Sequence, residues 1–278
     1  MPRIKSPLRV ETPFSFDRAR PLDALRRRLA DLSEPEYRAF VTKLLPGVDG
    51  ILGVRVPTLR VLARKIARNC GREFLNAVLD VPTFSLHDAA KHEQSKQRDF
   101  RSYEERLVVG FVVAETILNF EQRLDAIAAF VPHIDSWAVC DSFSASLSIS
   151  KDCCDKFWEL LARYVKSSRP YEVRFAVVAT LNHFLEMDCL AAVFERANQI
   201  AARRLGEYYV DMSLAWLVAE AFIRFPDATL KFLERNDFDD FTFNKSLQKI
   251  VESRRVDEAT KNEIRRLKRP RRARRSNA

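Results

Sequence analysis

Residues 131–148 read VPHIDSWAVCDSFSASLS, and the periodicity of this stretch decides between helix and strand for the region around it. Pro132 is a helix start signal, and no alternation of apolar and polar residues follows it. As a helix, Val139, Cys140, Phe143 and Leu147 share one face, the apolar stripe of a core-facing element. Trp137 and Asp141 stand four residues apart on a second face, and Ser144 and Ser148 continue it at the next turns. An indole, a carboxylate and small hydroxyls are unlike a solvated face, which ordinarily carries Lys and Glu. Two readings stay open at this level. Trp137 is either a core anchor with Asp141 a surface acid, or the pair lines a surface shaped to receive something.

Outward from this stretch, helix-period patterns run almost end to end. The chain has only 6 glycines in 278 residues, and no window alternates like a strand, so an all-α fold is expected. Helices are predicted over 22–32, 34–45, 58–69, 72–81, around 85–97, and over 103–119, 121–130, 134–148 and 152–166. The series continues over 170–186, 188–205, 208–224, 226–235, 241–253 and 257–267. Ser33 followed by Glu36 reads as a capping box for the second. Joins of two to five residues force antiparallel neighbours, and pairs recurring every ~40 residues suit an α-solenoid of HEAT-like antiparallel helix pairs with a concave face as binding cleft. A compact helical domain without a superhelix is the other architecture compatible with the pattern. The expected organisation is an extended basic N-terminal arm over 1–20, one helical repeat domain over 21–267, and a basic, disordered tail over 268–278.

Charge is unevenly spread. Eight of the 47 basic residues lie in RRLKRPRRARR, residues 265–275, which leaves 39 against 38 acidic residues and a nearly neutral body under a net charge of +9. A nucleic-acid partner therefore has to be recognised by a local patch. The tail either adds sequence-independent phosphate affinity or only keeps the chain soluble. No apolar run reaches the ~20 residues of a membrane span. The start of the chain lacks the apolar centre of a secretory signal. The odd count of 5 cysteines has no zinc-like spacing, so a reducing, cytoplasmic setting is expected.

Three further positions bear on function. Arg174, in PYEVRFAVVATLNHF (residues 170–184), lies off the stripe formed by Val173, Val177, Leu181 and Phe184. Trp216 lies in YYVDMSLAWLVAEAFIRF (residues 208–225), a helix apolar enough to bury it. Lys245 and Lys249 stand at i and i+4 in FTFNKSLQKI (residues 241–250), either a solvated pair or a grip on successive phosphates. His87 and His92 in HDAAKHE do not form a zinc-protease motif, and His133 and His183 read as structural. No GxGxxG, GxxxxGK[ST] or GxSxG occurs, so no cofactor and no metal is expected.

Six segments together resemble a known family. DSWAVCDSF (135–143), EVRFAVV (172–178), YYVDMSLAWLVAEAFIRFP (208–226) and DFTFNKSLQKIVESRRVD (240–257) are similar to the DNA alkylation repair enzymes, HEAT-like-repeat alkylpurine DNA glycosylases of bacteria. VRVPTLRVLARKI (54–66) and YEERLVVGFVVAE (103–115) extend the likeness, which runs from about Gly53 to about Leu267. The resemblance implies that Asp141 is the catalytic aspartate and Trp137 the aromatic beside the lesion's sugar. It also implies that Arg174 contacts the backbone near the scissile nucleotide and Trp216 is the second aromatic of the cleft. The implied activity is hydrolysis of the N-glycosidic bond of positively charged N3- or N7-alkylated purines in double-stranded DNA, by a monomer without cofactor that joins the nucleoid when bound. Non-catalytic binding of damaged or branched DNA, or of protein, on the same scaffold are the alternatives. The basic residues Arg174, Arg203, Arg204, Lys245, Lys249, Arg254 and Arg255 are expected to gather on the concave side.

Overall fold

The computed structural model describes residues 14–81 and 100–270. Every regular element among them is helical, and no helix is long and apolar enough to cross a membrane. The described residues form two compact units, one ending at Cys154 and the other beginning at Asp155.

The first unit is built around α4 (Tyr103–Glu115), in which Tyr103 through Val113 are buried apart from Arg106. Against it pack α1 (Pro21–Asp31), α3 (Val56–Leu79), α5 (Phe120–Phe130) and α6 (Trp137–Ser144). Ser102 caps α4 by accepting the Glu105 amide, and Asn119 with Gln122 forms a capping box on α5. Arg123 closes the far end of α4 by donating to the carbonyls of Val113, Ala114 and Thr116. Those carbonyls lack partners within the helix, so the guanidinium satisfies what the helix end leaves over. Burial pushes the Arg123 pKa down. Gly110 sits where a Cβ would meet Phe130 at 2.9 Å and Phe143 at 3.3 Å, so its bare Cα lets α5 and α6 approach α4. Phe130 and Phe143 then meet edge-on at 4.7 Å.

Segments 58–69 and 72–81 are two helical runs of α3, divided at Cys70, whose φ of −155° and ψ of 29° are not helical; beside the bend, the bare Cα of Gly71 leaves room for the Thr116 side chain. Two local expectations are corrected here. Ser33 is not the cap of α2 (Pro35–Leu44); its hydroxyl donates to the Leu52 carbonyl, Glu34 holds the cap position, and Pro35 starts the helix. The 134–148 helix is shorter at both ends, as set out below. The 85–97 helix lies outside the described residues. Of the 1–20 arm, Phe14 and Phe16 pack edge-on against Phe74.

The second unit stacks helix pairs in two layers. One layer contains α8 (Pro170–His183), α10 (Tyr208–Arg224) and α12 (Asp240–Glu252), with α10 packed between the other two. Ring contacts Tyr171–Tyr209 and Tyr208–Phe241, each at 6.0 Å, join residues of the three first turns. The three helices therefore run parallel, side by side. The other layer contains α7 (Cys154–Val165), α9 (Leu190–Ala202) and α11 (Pro226–Glu234). Arg196 of α9 lies 3.2 Å over the Trp158 ring of α7, and Phe194 of α9 stacks on Phe232 of α11 at 4.3 Å. The Trp158 stack and the Thr180 hydroxyl take Arg196 out of water, and burial lowers its pKa to about 10. The last helix, α13 (Glu258–Arg266), packs on α12. Beyond it Arg269 is docked, exchanging two 2.9 Å hydrogen bonds with Asn244 and lying 3.7 Å over Phe243.

Candidate active site

Helix α6 has eight residues, too few to hold its shape without tertiary support. Its start is fixed by Ser136, whose hydroxyl accepts the Val139 amide, and not by Pro132, which lies in a preceding 3-10 turn. Just before that cap, Asp135 pairs with Arg106 at 3.1 Å, and Arg106 also donates to the carbonyls of Ser102 and Phe100. Burial pushes the Asp135 carboxyl up, while Arg106 and the Ser136 hydroxyl pull it back. Its Oδ1 is buried without a hydrogen-bond partner among the described residues. At the other end, the Ser146 hydroxyl donates to the Ser142 carbonyl and accepts from Arg60 at 2.8 Å. Arg60 lies 4.2 Å over the Phe111 ring. Arginines from α3 and α4 thus hold both ends of α6.

Between those clamps, Ala138, Val139, Cys140, Phe143 and Ser144 are buried. Trp137 and Asp141 are both partly exposed, one turn apart on one face. The serine continuation of that face is corrected: Ser144 is fully buried, and Ser148 lies beyond the helix end. Ser144 stands about 60° from Asp141 around the helix, which places it on the buried side. The partly open surface of α6 is therefore the indole, the carboxylate and the neighbouring Ser142.

The other expected residues stand in the second unit, on its parallel layer. Arg174 on α8 is buried, contrary to its place off the apolar stripe, because every residue from Val173 to Leu181 is enclosed. Its Nη1 donates to the Tyr209 carbonyl in the first turn of α10, at 2.5 Å. Trp216 on α10 is partly exposed between buried Ala215 and Leu217. Lys245 and Lys249 on α12 are half-buried, with the Lys245 ammonium 2.9 Å from Gln248 Oε1 and 5.9 Å from the Phe241 ring. Arg174, Trp216 and the lysine pair are thus carried by adjacent helices.

Several cations expected at the site have structural partners. Arg203 donates to the carbonyls of Val165 and Ser167, closing α7, and Arg255 pairs with Glu220 at 2.7 Å. Arg204 and Arg254 are exposed. His133 packs on Phe100 and His183 on Phe157, while His87 and His92 lie outside the described residues. Among the described residues no group of three or more His, Cys, Asp and Glu is placed to hold a metal ion.

The sequence reading passed over the largest basic run in the described chain. Residues 54–72 contain Arg55, Arg60, Arg64, Lys65, Arg68 and Arg72 and no acid. Counting charge in a sliding window instead of over the whole body finds it. No curated protein matches the chain. The sequence model of the DNA alkylation repair enzyme family matches residues 25–250, a span that includes α6, the parallel layer of the second unit and the basic run. The chain belongs to the DNA alkylation repair enzyme family.

Proposed function

We propose that the protein is a DNA glycosylase that hydrolyses the N-glycosidic bond of cationic N3- and N7-alkylated purines in double-stranded DNA, acting as a monomer. The observation that carries this reading is α6: the carboxylate of Asp141 and the indole of Trp137 are left partly open to solvent, one turn apart, on a helix whose Ala138, Val139, Cys140, Phe143 and Ser144 are buried. The parallel helices α8, α10 and α12 of the second unit, and the α9–α11 ring contact beside them, support the accompanying architecture of HEAT-like pairs.

A purine alkylated at N3 or N7 carries a positive charge. When the bond from C1′ to the base nitrogen breaks, the electron pair leaves with the base and neutralises it, and the sugar becomes oxocarbenium-like. The Asp141 carboxylate stabilises that cation and accepts the proton of the water whose oxygen bonds to C1′. Because the base departs neutral, no general acid is needed. Trp137 and Trp216 attract the cationic lesion or sugar through their ring faces, worth ~0.5–2 kcal/mol each. Arg174, Lys245 and Lys249 hold the backbone. Selectivity comes from the charge and lability of the lesion more than from base edges.

The test is release of 7-methylguanine or 3-methyladenine from methylated duplex at neutral pH without heating. Asp141→Asn is expected to reduce the single-turnover rate at least 100-fold while leaving duplex affinity in place. Equal release by both proteins ends the proposal, and salt-sensitive binding with no release by either selects a non-catalytic DNA binder.

A further inference from the structure

We propose that α3 is a docking rail for the phosphodiester backbone of duplex DNA, with Arg64 and Arg68 as its open rungs. The inference rests on DNA being the substrate of this family member and extends the DNA contact to a helix outside the residues assigned above.

Arg60, Arg64, Arg68 and Arg72 recur every fourth residue along α3. From Arg60 to Arg68 each step advances about 6 Å along the helix and drifts about 40° around it, so these three long side chains form one stripe roughly 12 Å in length, with Arg72 following the bend at Cys70. Arg64, Arg68 and Arg72 are exposed, and no acidic side chain occurs between Gly50 and Arg72. The stripe is anchored at both ends. Arg60 is pinned between Phe111 and the Ser146 hydroxyl at the end of α6, and Arg72 donates to the Ile117 carbonyl after α4. Between these anchors, Arg64 folds back towards its own helix, its Nε 3.3 Å from the Arg60 carbonyl. A solvated helix of a near-neutral body ordinarily mixes acids among its bases, as α13 does with its Glu258–Lys261 pair. A row of one sign over this length is the complement of a polyanion, and a duplex offers one negative charge per roughly 1.7 Å of its axis. Because Arg60 touches Ser146, the rail starts five residues beyond Asp141, on the same unit.

The probe is a fluorescently labelled, unmodified duplex, titrated by anisotropy across a series of KCl concentrations with the full chain. The double variant Arg64→Gln, Arg68→Gln is expected to flatten the plot of log affinity against log salt by about two units, at ~0.9 per phosphate contact. At 0.1 M salt it is expected to bind at least roughly tenfold more weakly. Arg64→Lys with Arg68→Lys restores most of the binding, because charge and not shape is required. At sub-saturating enzyme, base release from methylated duplex is expected to fall with affinity in the Gln double and to recover in the Lys double. Wild-type affinity and slope in the Gln double overturn the rail, and base release by the wild type leaves the glycosylase reading standing. If the wild type releases no base yet binds DNA with a slope that the Gln double loses, the rail holds and the glycosylase reading falls.

Discussion

Glu104 is completely buried, and its carboxylate accepts the backbone amides of Leu52, Gly53 and Val54 at 2.7 to 3.2 Å. Those amides belong to the connector that delivers the chain into α3. There Gly53 holds a left-handed φ of 88°, and a Cβ would strike Arg38 and Glu34 backbone at 2.6 Å. One side chain at the start of α4 therefore sets the direction in which α3 leaves. Its neighbour Glu105 receives Arg26 and the Arg101 amide. Glu104→Ala strands buried N–H groups, so a loss of about 3 kcal/mol is expected in urea unfolding; a loss under 1 kcal/mol refutes this account. Asp135 gives a pH prediction. Its folded pKa is raised, mainly by burial, above its unfolded value. The folded state therefore binds the proton more tightly, and stability contributed by this group rises as pH falls through the interval between the two values. In Asp135→Asn that component of the pH dependence disappears. A carboxyl titration of Asp135 followed by NMR with its midpoint at or below the ordinary aspartate value contradicts the assignment. That Trp137 and Asp141 stand one turn apart on one helix was legible from spacing. Asp135 was not, because its distinction lies in Arg106, some thirty residues away in sequence, and in the depth of its Oδ1.

At the scale of elements, helix existence was legible and helix ends were not. The 208–224 helix was read to the residue, since a long apolar period leaves little freedom. Helix α6 was overextended by three residues at its start, because Pro132 looks like a start while the side-chain cap belongs to Ser136, and by four at its end. The break between the two helical runs of α3 was legible, and Cys70 carries it, but the packing of Thr116 at Gly71 beside the bend joins distant segments and no local pattern encodes it. Position 110 on α4 is the place where packing governs the site most directly. Gly110→Ala puts a methyl group 2.9 Å from Phe130 and 3.3 Å from Phe143, the rings that seat α6. Overpacking of this kind costs roughly 1–3 kcal/mol. If α6 carries the catalytic acid, the variant at a temperature where it remains folded is also expected to lose turnover more than duplex affinity. A crystal structure of the variant with α6 unmoved and full turnover would show that the helix tolerates displacement.

For the molecule as a whole, the decisive quantity is where the cations are, since their sum is uninformative. Arg123 and Arg203 close helix ends, Arg174, Arg196, Arg224 and Arg269 reach backbone carbonyls, and Arg255 meets Glu220. Beside Lys245 and Lys249 on α12, the cations proposed for a polyanion are the arginines of α3 and those after Pro270, where RRARR adds four. These two sources are separable by experiment. Deleting residues 271–278 lowers the formal charge from +9 to +5 by removing arginines, so up to four phosphate contacts are lost and the salt slope falls by as much as ~3.6. A tail that only promotes solubility leaves the slope unchanged. Contacts made to separate phosphates contribute additively to binding free energy, so combining the deletion with Arg64→Gln, Arg68→Gln is expected to multiply the two losses of affinity. Neither change touches Asp141 or Trp137, so single-turnover base release at saturating enzyme should persist in the combined variant. A combined loss no larger than that of either change alone would mean that both sets of arginines serve one contact, and the separation of rail from tail would be wrong.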